Sequence, residues 1–106
     1  MEKLILTNKV VIDRPKGKPH PKYPDFIYPL DYGYLENTTS GDGDGIDVWI
    51  GSLKTKSLTG ILCTFDTIKE DMEIKLLIGC STDDIPTIRS FHNPMPNLYI
   101  PNPTAK

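Results

Sequence analysis

The sequence predicts a mainly β domain of the α+β kind: a small, closed or partly closed β-barrel of about five short strands with one short helix near its C-terminal end. Three observations carry that prediction. Short runs rich in branched and aromatic residues recur along the chain, each bounded by Gly, Pro, Asp or Asn. The ten prolines and eight glycines fall mostly in 15–29, 41–45 and 94–103, which keeps helices out of those stretches. A full set of helix-start signals occurs at one place, from Ser81 onward. The 106 residues suit one hydrophobic core, so residues 1–106 are read as a single domain.

The elements follow in order. Leu4 to Thr7 and Val10 to Asp13 read as short strands. Arg14 to Leu30 carries Pro15, Pro19, Pro21, Pro24 and Pro29, so it reads as an extended arm with few ladder bonds. Tyr32 to Leu35 is a candidate strand, and Asn37 to Gly45 a polar, Gly-rich loop. Ile46 to Ile50 is a strand ended by Gly51-Ser52. Gly60 to Phe65 and Met72 to Ile78 are two more. Ser81-Thr82-Asp83-Asp84, followed by Ile85-Pro86, offers a capping side chain and a first-turn proline, and predicts a helix to about Phe91 or His92. Asn93 to Lys106 has four prolines and reads as an irregular tail.

Composition excludes several classes. A net charge of −2 gives no field to hold nucleic acid. No apolar stretch approaches the roughly 20 residues that span a bilayer, so no membrane partner is expected. The first residues lack a signal-peptide layout, because Asn8 and Lys9 cut the apolar run, and a cytoplasmic location is the expectation. Cys63 and Cys80 each sit in an apolar run and are read as free thiols.

The most informative stretch is Ser40-Gly41-Asp42-Gly43-Asp44-Gly45-Ile46-Asp47-Val48. Two carboxylates about 5 Å apart repel by on the order of 3 kcal/mol at an effective dielectric of 20. A folded loop that gathers Asp42, Asp44 and Asp47 therefore calls for a cation, and clustered oxygen ligands suit Mg²⁺, Mn²⁺ or Ca²⁺. An EF-hand fails here: counted from Asp42, its fifth, sixth and twelfth positions are Ile46, Asp47 and Leu53. A solvated Asp-Gly turn is the ordinary alternative. Asp47 argues against it, because it lies inside the apolar run 46–50. An unneutralised charge there is costly, so Asp47→Ala is expected to stabilise the metal-free chain.

Asp71, Glu73 and Lys75 alternate with Met72, Ile74 and Leu76, which puts the first three on one strand face, with Asp66 upstream. A wet outer face with weak salt links is the bland reading. Two-metal phosphoryl chemistry is the sharper one, since it needs carboxylates from more than one element and a cation for phosphate oxygens.

Tyr28-Pro29-Leu30-Asp31-Tyr32-Gly33-Tyr34, followed by Thr39-Ser40-Gly41-Asp42-Gly43-Asp44-Gly45-Ile46-Asp47-Val48, resembles the core of family I soluble inorganic pyrophosphatases, in a short, truncated form. That family carries Tyr-Pro-x-Asn-Tyr-Gly and then Asp-x-Asp-Pro-x-Asp-Val. Gly60-Ile61-Leu62 to Asp66, Glu73-Ile74-Lys75, and Ile12-Asp13-Arg14-Pro15-Lys16-Gly17 with Lys22-Tyr23 are similar to further family segments. The resemblance implies a five-stranded OB-like barrel that hydrolyses pyrophosphate to two phosphates with several Mg²⁺ ions, Mn²⁺ being the second choice. It implies Asp42, Asp44, Asp47, Asp66 and Glu73 as metal ligands, with Asp44 also the base for a metal-bridging water. Lys22, Lys75 and Tyr32 are implied to hold the phosphates. Tyr32 also has a plainer role, as a barrel residue with its hydroxyl paired.

The chain departs from the family pattern at Gly45 (proline there), at Asp31 (asparagine there), in a short Tyr23–Tyr28 segment that lacks the family's arginine hairpin, and after Phe91, where no Tyr-Lys pair follows. Arg14 or Lys16 is the candidate replacement for that arginine. These gaps leave a second reading, a pyrophosphatase-like module that binds metal and phosphate or nucleotide with little turnover. Self-association into a homo-oligomer is left open. His20 and His92, without partners at ligand spacing, read as surface histidines, and Trp49 reads as core.

Overall fold

The branched and aromatic runs pair into one sheet. The computed structural model of the chain describes residues 9–38 and 45–103. Among them lie β1 (Val10–Arg14), β2 (Asp31–Leu35), β3 (Asp47–Ile50), β4 (Leu58–Asp66), β5 (Asp71–Ile78), helix α1 (Asp84–His92) and β6 (Asn97–Pro101). The sheet order is β1-β2-β3-β5-β4-β6. Neighbours are antiparallel except β3 and β5, which run parallel. The mainly β architecture with a short helix after the fifth strand is the one the sequence predicts. The strand expected at Leu4 to Thr7 lies outside the described residues.

Two expectations change. Residues 97–101 form β6, which pairs with β4 from Gly60↔Pro101 to Thr64↔Asn97, so the tail adds a sixth strand. Proline is tolerated there because β6 is an edge strand, where a missing N–H breaks no inner ladder. The Pro-rich arm is folded back on itself. Gly17 N–H donates to Tyr28 O (2.8 Å), Tyr28 N–H to Lys18 O (3.0 Å) and His20 N–H to Phe26 O (2.8 Å). The bend is a turn from Tyr23 to Phe26, closed by Phe26 N–H on Tyr23 O, with Pro24 at the position whose fixed φ suits it.

The period-two alternation of the strands divides apolar side chains between two faces. Leu35, Val48, Leu58, Leu76 and Ile78 pack together on one. On the other, Trp49, Leu62 and Leu77 pack with Tyr28, Leu30, Cys80 and Ile88 under the arm and helix. Trp49 and Leu77 are fully buried; burying side chains of this size contributes roughly 1.5–3 kcal/mol each. Cys63 and Cys80 are free, as expected.

The helix begins where the sequence places it, but its N-cap residue, Asp83, makes no side-chain cap bond. Just ahead of it Ser81 Oγ accepts from Asp84 N–H (3.2 Å) and Asp84 Oδ2 accepts from Ser81 N–H (2.8 Å), a reciprocal pair that closes the turn into the helix. The same Oδ2 accepts from Ser52 N–H and Ser52 Oγ–H, both at 2.8 Å. Asp84 thereby ties the helix to the turn after β3. Burial alone would raise its pKa, but these donors favour the carboxylate and hold it below the ordinary value.

Candidate active site

Strand register gathers the site. Tyr34 opposes Asp47, Asp47 opposes Lys75, and Lys75 opposes Leu62 across β2, β3, β5 and β4. Tyr32, Trp49 and Leu77 form the next row, and Arg14 of β1 pairs with Tyr32. Because strand faces alternate, Glu73 and Asp71 follow Lys75 on its face of β5, opposite Thr64 and Asp66.

Lys75 is the centre of this face and is 4% exposed. Its Nζ donates to Tyr32 Oη (2.8 Å), Asp47 Oδ2 (2.9 Å) and Glu73 Oε2 (3.1 Å). An ammonium has three N–H donors, and all three are used. Burial opposes its charge, but the neighbouring Tyr32 and Asp47 oxygens outweigh burial and hold its pKa above the ordinary lysine value. Burial pushes the Tyr32 hydroxyl up, so this tyrosine stays neutral. The face is thus enclosed around Lys75, Trp49 and Leu77 and open to solvent at Asp71.

Asp47 is not an unneutralised charge. Its ion pair with Lys75 at 2.9 Å overturns the expectation that Asp47→Ala stabilises the metal-free chain: the substitution instead strips a partner from a buried ammonium. Sequence alternation put Lys75 beside Glu73 on β5 but had no means of placing it against Asp47 of β3.

Asp42 and Asp44 lie outside the described residues. The ends of their loop are fixed: Thr38 Oγ donates to Leu35 O (2.7 Å) and accepts from Ile46 N–H (2.9 Å). At Gly45, a Cβ would lie 2.7 Å from Tyr34 Cδ2 and 2.9 Å from Leu35 O, so the residue that follows the acidic pair admits no side chain without a shift.

Asp66 and Glu73 sit farther along the same face. With Thr64, Lys69, Asp71 and Met95 they line a cavity of about 210 Å³. Asp66 Oδ1 accepts from Ile68 N–H and Lys69 N–H, each at 3.0 Å, and so also closes the β4–β5 turn. Asp71 stands directly opposite Asp66, a juxtaposition that only the pairing of β4 with β5 brings about. Among the described residues no three acidic, histidine or cysteine side chains converge on one point.

A second cavity, of about 550 Å³, lies on the other side of Asp47 and is lined by Arg14, His20, Tyr28, Tyr32 and Tyr34 among others. Arg14 is brought to it from β1 and also neighbours Asp13 (3.6 Å). Lys22 is exposed on the arm and does not line the cavity. Lys16 is also exposed, and its N–H donates to Asp31 Oδ1 (2.8 Å); an asparagine oxygen would accept that bond equally, which accounts for Asp31.

His92 departs from the surface reading. It is partly buried, and its Nε2 accepts from the Trp49 indole N–H at 3.1 Å. Burial, reinforced by the Lys75 charge, lowers its pKa to about 3. Trp49 is core, as expected. No spacing in the sequence links residues 49 and 92; only the packing of α1 on β3 does.

Among solved structures the chain is similar to the inorganic pyrophosphatase of Helicobacter pylori (25% identity, 78% of this chain and 61% of that one, TM-score 0.49). It is also similar to a protein of Anaplasma phagocytophilum described as an inorganic phosphatase (22% identity, 80% and 63%, TM-score 0.49). The chain thus spans less than two thirds of the length of either. No curated protein sequence matches it. Residues 5–73 match the family model for inorganic pyrophosphatase, well over half of the chain, and they include the acidic loop, Asp66, Glu73 and the Tyr32 strand; the chain belongs to the inorganic pyrophosphatase family.

Proposed function

We propose that the chain hydrolyses inorganic pyrophosphate to two phosphates, with divalent cations, Mg²⁺ or Mn²⁺, held by carboxylates of this face. The observation that carries the reading is the Lys75 cluster. A buried ammonium, a neutral tyrosine hydroxyl and two carboxylates meet within 3.1 Å of one nitrogen, in a family whose model covers these strands up to residue 73.

By their chemistry these donors suit a hard cation, although among the described residues no three of them converge on one point. Asp66 and Asp71 are directly opposed carboxylates with Glu73 beside them, and Lys69 is the single cationic side chain among the residues lining that cavity. Like charges in that arrangement repel, and hard oxygen ligands suit Mg²⁺. Asp42, Asp44, Asp47, Asp66 and Glu73 would hold the ions, with Asp71 a further oxygen donor. When bound, such ions polarise phosphoryl oxygens and lower the pKa of water.

The chain's own residues do the rest. Asp44 is assigned the base that takes the proton of the attacking water, since a carboxylate near neutral pH accepts one readily once that water is activated. Lys75 fixes Asp47 and Glu73 in position and places positive charge under the substrate. Tyr32, neutral and hydrogen-bonded to Lys75, presents its hydroxyl to the Arg14 cavity. Arg14 offers a planar, charge-assisted fork to a phosphate. Lys22 is assigned phosphate at the edge, reached by movement of its long side chain.

Phosphate release from magnesium pyrophosphate tests the reading, and release that needs Mg²⁺ and is lost in Asp44→Asn is the expected result. Absence of release at millimolar substrate, with no metal-dependent rise in melting temperature, would defeat it.

A further inference from the structure

Between the two polar cavities lies a third, of about 380 Å³, whose walls are largely apolar: Phe26 from the arm, Phe65 and Ile68 from the β4–β5 hairpin, Phe91 from α1, and Met95 beyond it. It is not separate from the site. His20 lines both it and the Arg14 cavity. Asp66 and Met95 line both it and the acidic cavity. The apolar cavity therefore adjoins both polar cavities, each sharing a lining side chain with it.

The walls also carry polar hydrogen donors. His20 Nδ1 accepts from the N–H groups of Lys22 (3.0 Å) and Tyr23 (3.3 Å), and His92 Nε2 accepts from Trp49. Each neutral imidazole then carries its hydrogen on the other nitrogen, His20 Nε2 and His92 Nδ1. Bare pyrophosphate has no apolar surface to set against the apolar wall. Phe26 and Ile68 remain 46% and 93% exposed at the rim, apolar surface that an aromatic occupant would cover.

We infer that this cavity receives the heterocyclic base of a nucleoside diphosphate, so that the site takes base-bearing diphosphates as well as pyrophosphate. The inference rests on the diphosphate-hydrolysing reading above and names a further substrate class for the same site. In the reaction, water adds to the terminal phosphorus and the bond from that phosphorus to the bridging oxygen breaks. The bridging oxygen leaves on the nucleoside monophosphate, water's oxygen ends in inorganic phosphate, and one proton passes to solvent.

The test uses two unhydrolysable anions of equal charge: adenosine α,β-methylene diphosphate, and the methyl ester of methylenediphosphonate. Each is titrated calorimetrically into the full chain in Mg²⁺. Stacking of a base on aromatic walls predicts tighter binding of the adenosine compound by about 5- to 150-fold. Phe26→Ala and Phe65→Ala are each expected to shrink that ratio, both affinities being measured on the same variant. Equal affinities in the native chain overturn the inference and leave the diphosphate reading standing. A ratio unchanged in both variants places the base elsewhere and overturns the assignment of this cavity. If neither anion binds, the diphosphate reading fails and takes the inference with it.

Discussion

Replacing Lys75 by methionine tests how much of the site's order rests on one ammonium. The side chain is nearly isosteric, so the loss is chiefly of charge and of three hydrogen bonds, to Tyr32, Asp47 and Glu73. Asp47 Oδ2 and Glu73 Oε2 both contact the same nitrogen, at 2.9 and 3.1 Å, so they stand no more than about 6 Å apart. Without the ammonium, two unit charges at that distance repel by about 3 kcal/mol at an effective dielectric of 20. The carboxylate side chains are 27% and 35% exposed, and solvent screening reduces that by about half. Adding the lost charge-assisted bonds gives a cost of about 3 kcal/mol, at the low end for breaking a buried ion pair. A chain of 106 residues has an unfolding entropy of about 0.2 kcal/mol per kelvin, so the melting temperature should fall by about 13 °C. Thermal unfolding followed by circular dichroism in a metal-chelating buffer measures it. Millimolar Mg²⁺ should recover part of the loss, since a cation can take the ammonium's place between the carboxylates. A fall under about 3 °C would refute the argument, because the carboxylates would then not depend on Lys75.

Asp44→Asn should lower turnover by about 10²- to 10⁴-fold while Mg²⁺ affinity changes less, because an amide offers an oxygen but accepts no proton; phosphate release and calorimetry on one preparation would show the split. His92, with a folded pKa near 3 set by burial and Lys75, is neutral in the folded chain where the unfolded chain already binds a proton. Stability from this group is therefore whole above about pH 6.5 and falls as pH drops toward 3, by about 2 kcal/mol at pH 5. Urea midpoints at pH 7.5 and pH 5 should differ less in His92→Gln, and equal differences in both proteins would count against the burial of His92. Asp84 is the opposite case among carboxylates, with a folded pKa below the unfolded one. Its contribution is present above the unfolded carboxylate pKa and is lost as pH falls through the lower, folded value. Asp84→Ala, which orphans donors from Ser52 and Ser81, should cost about 2 kcal/mol at pH 7, and an unchanged urea midpoint would contradict its role as the tie between α1 and β3.

The sequence by itself determined what depends on near neighbours. Runs of branched and aromatic residues between turn residues marked the five strands β1 to β5. The polar run Ser81-Thr82-Asp83-Asp84 before Ile85-Pro86 marked the helix start. The spacing of Asp42, Asp44 and Asp47 marked an acidic loop, since charges that close together in sequence stay close in any fold. Tertiary structure alone decided what depends on residues far apart. Lys75 meets Asp47 and Tyr32, 28 and 43 residues away in sequence, only because β5 runs parallel to β3 and β3 antiparallel to β2. That register turns a lysine that reads as solvated into a buried cation, and it reverses the expected effect of removing Asp47. His92 looked like a surface residue because Trp49, whose indole N–H its imidazole accepts, stands 43 positions earlier. Strand β6 was hidden by Pro101 at its end and by the prolines that flank it, which an inner strand would reject and an edge strand accepts. In each case the local pattern left the residue's environment open, and the packing of distant strands fixed its burial, its partners and its charge state.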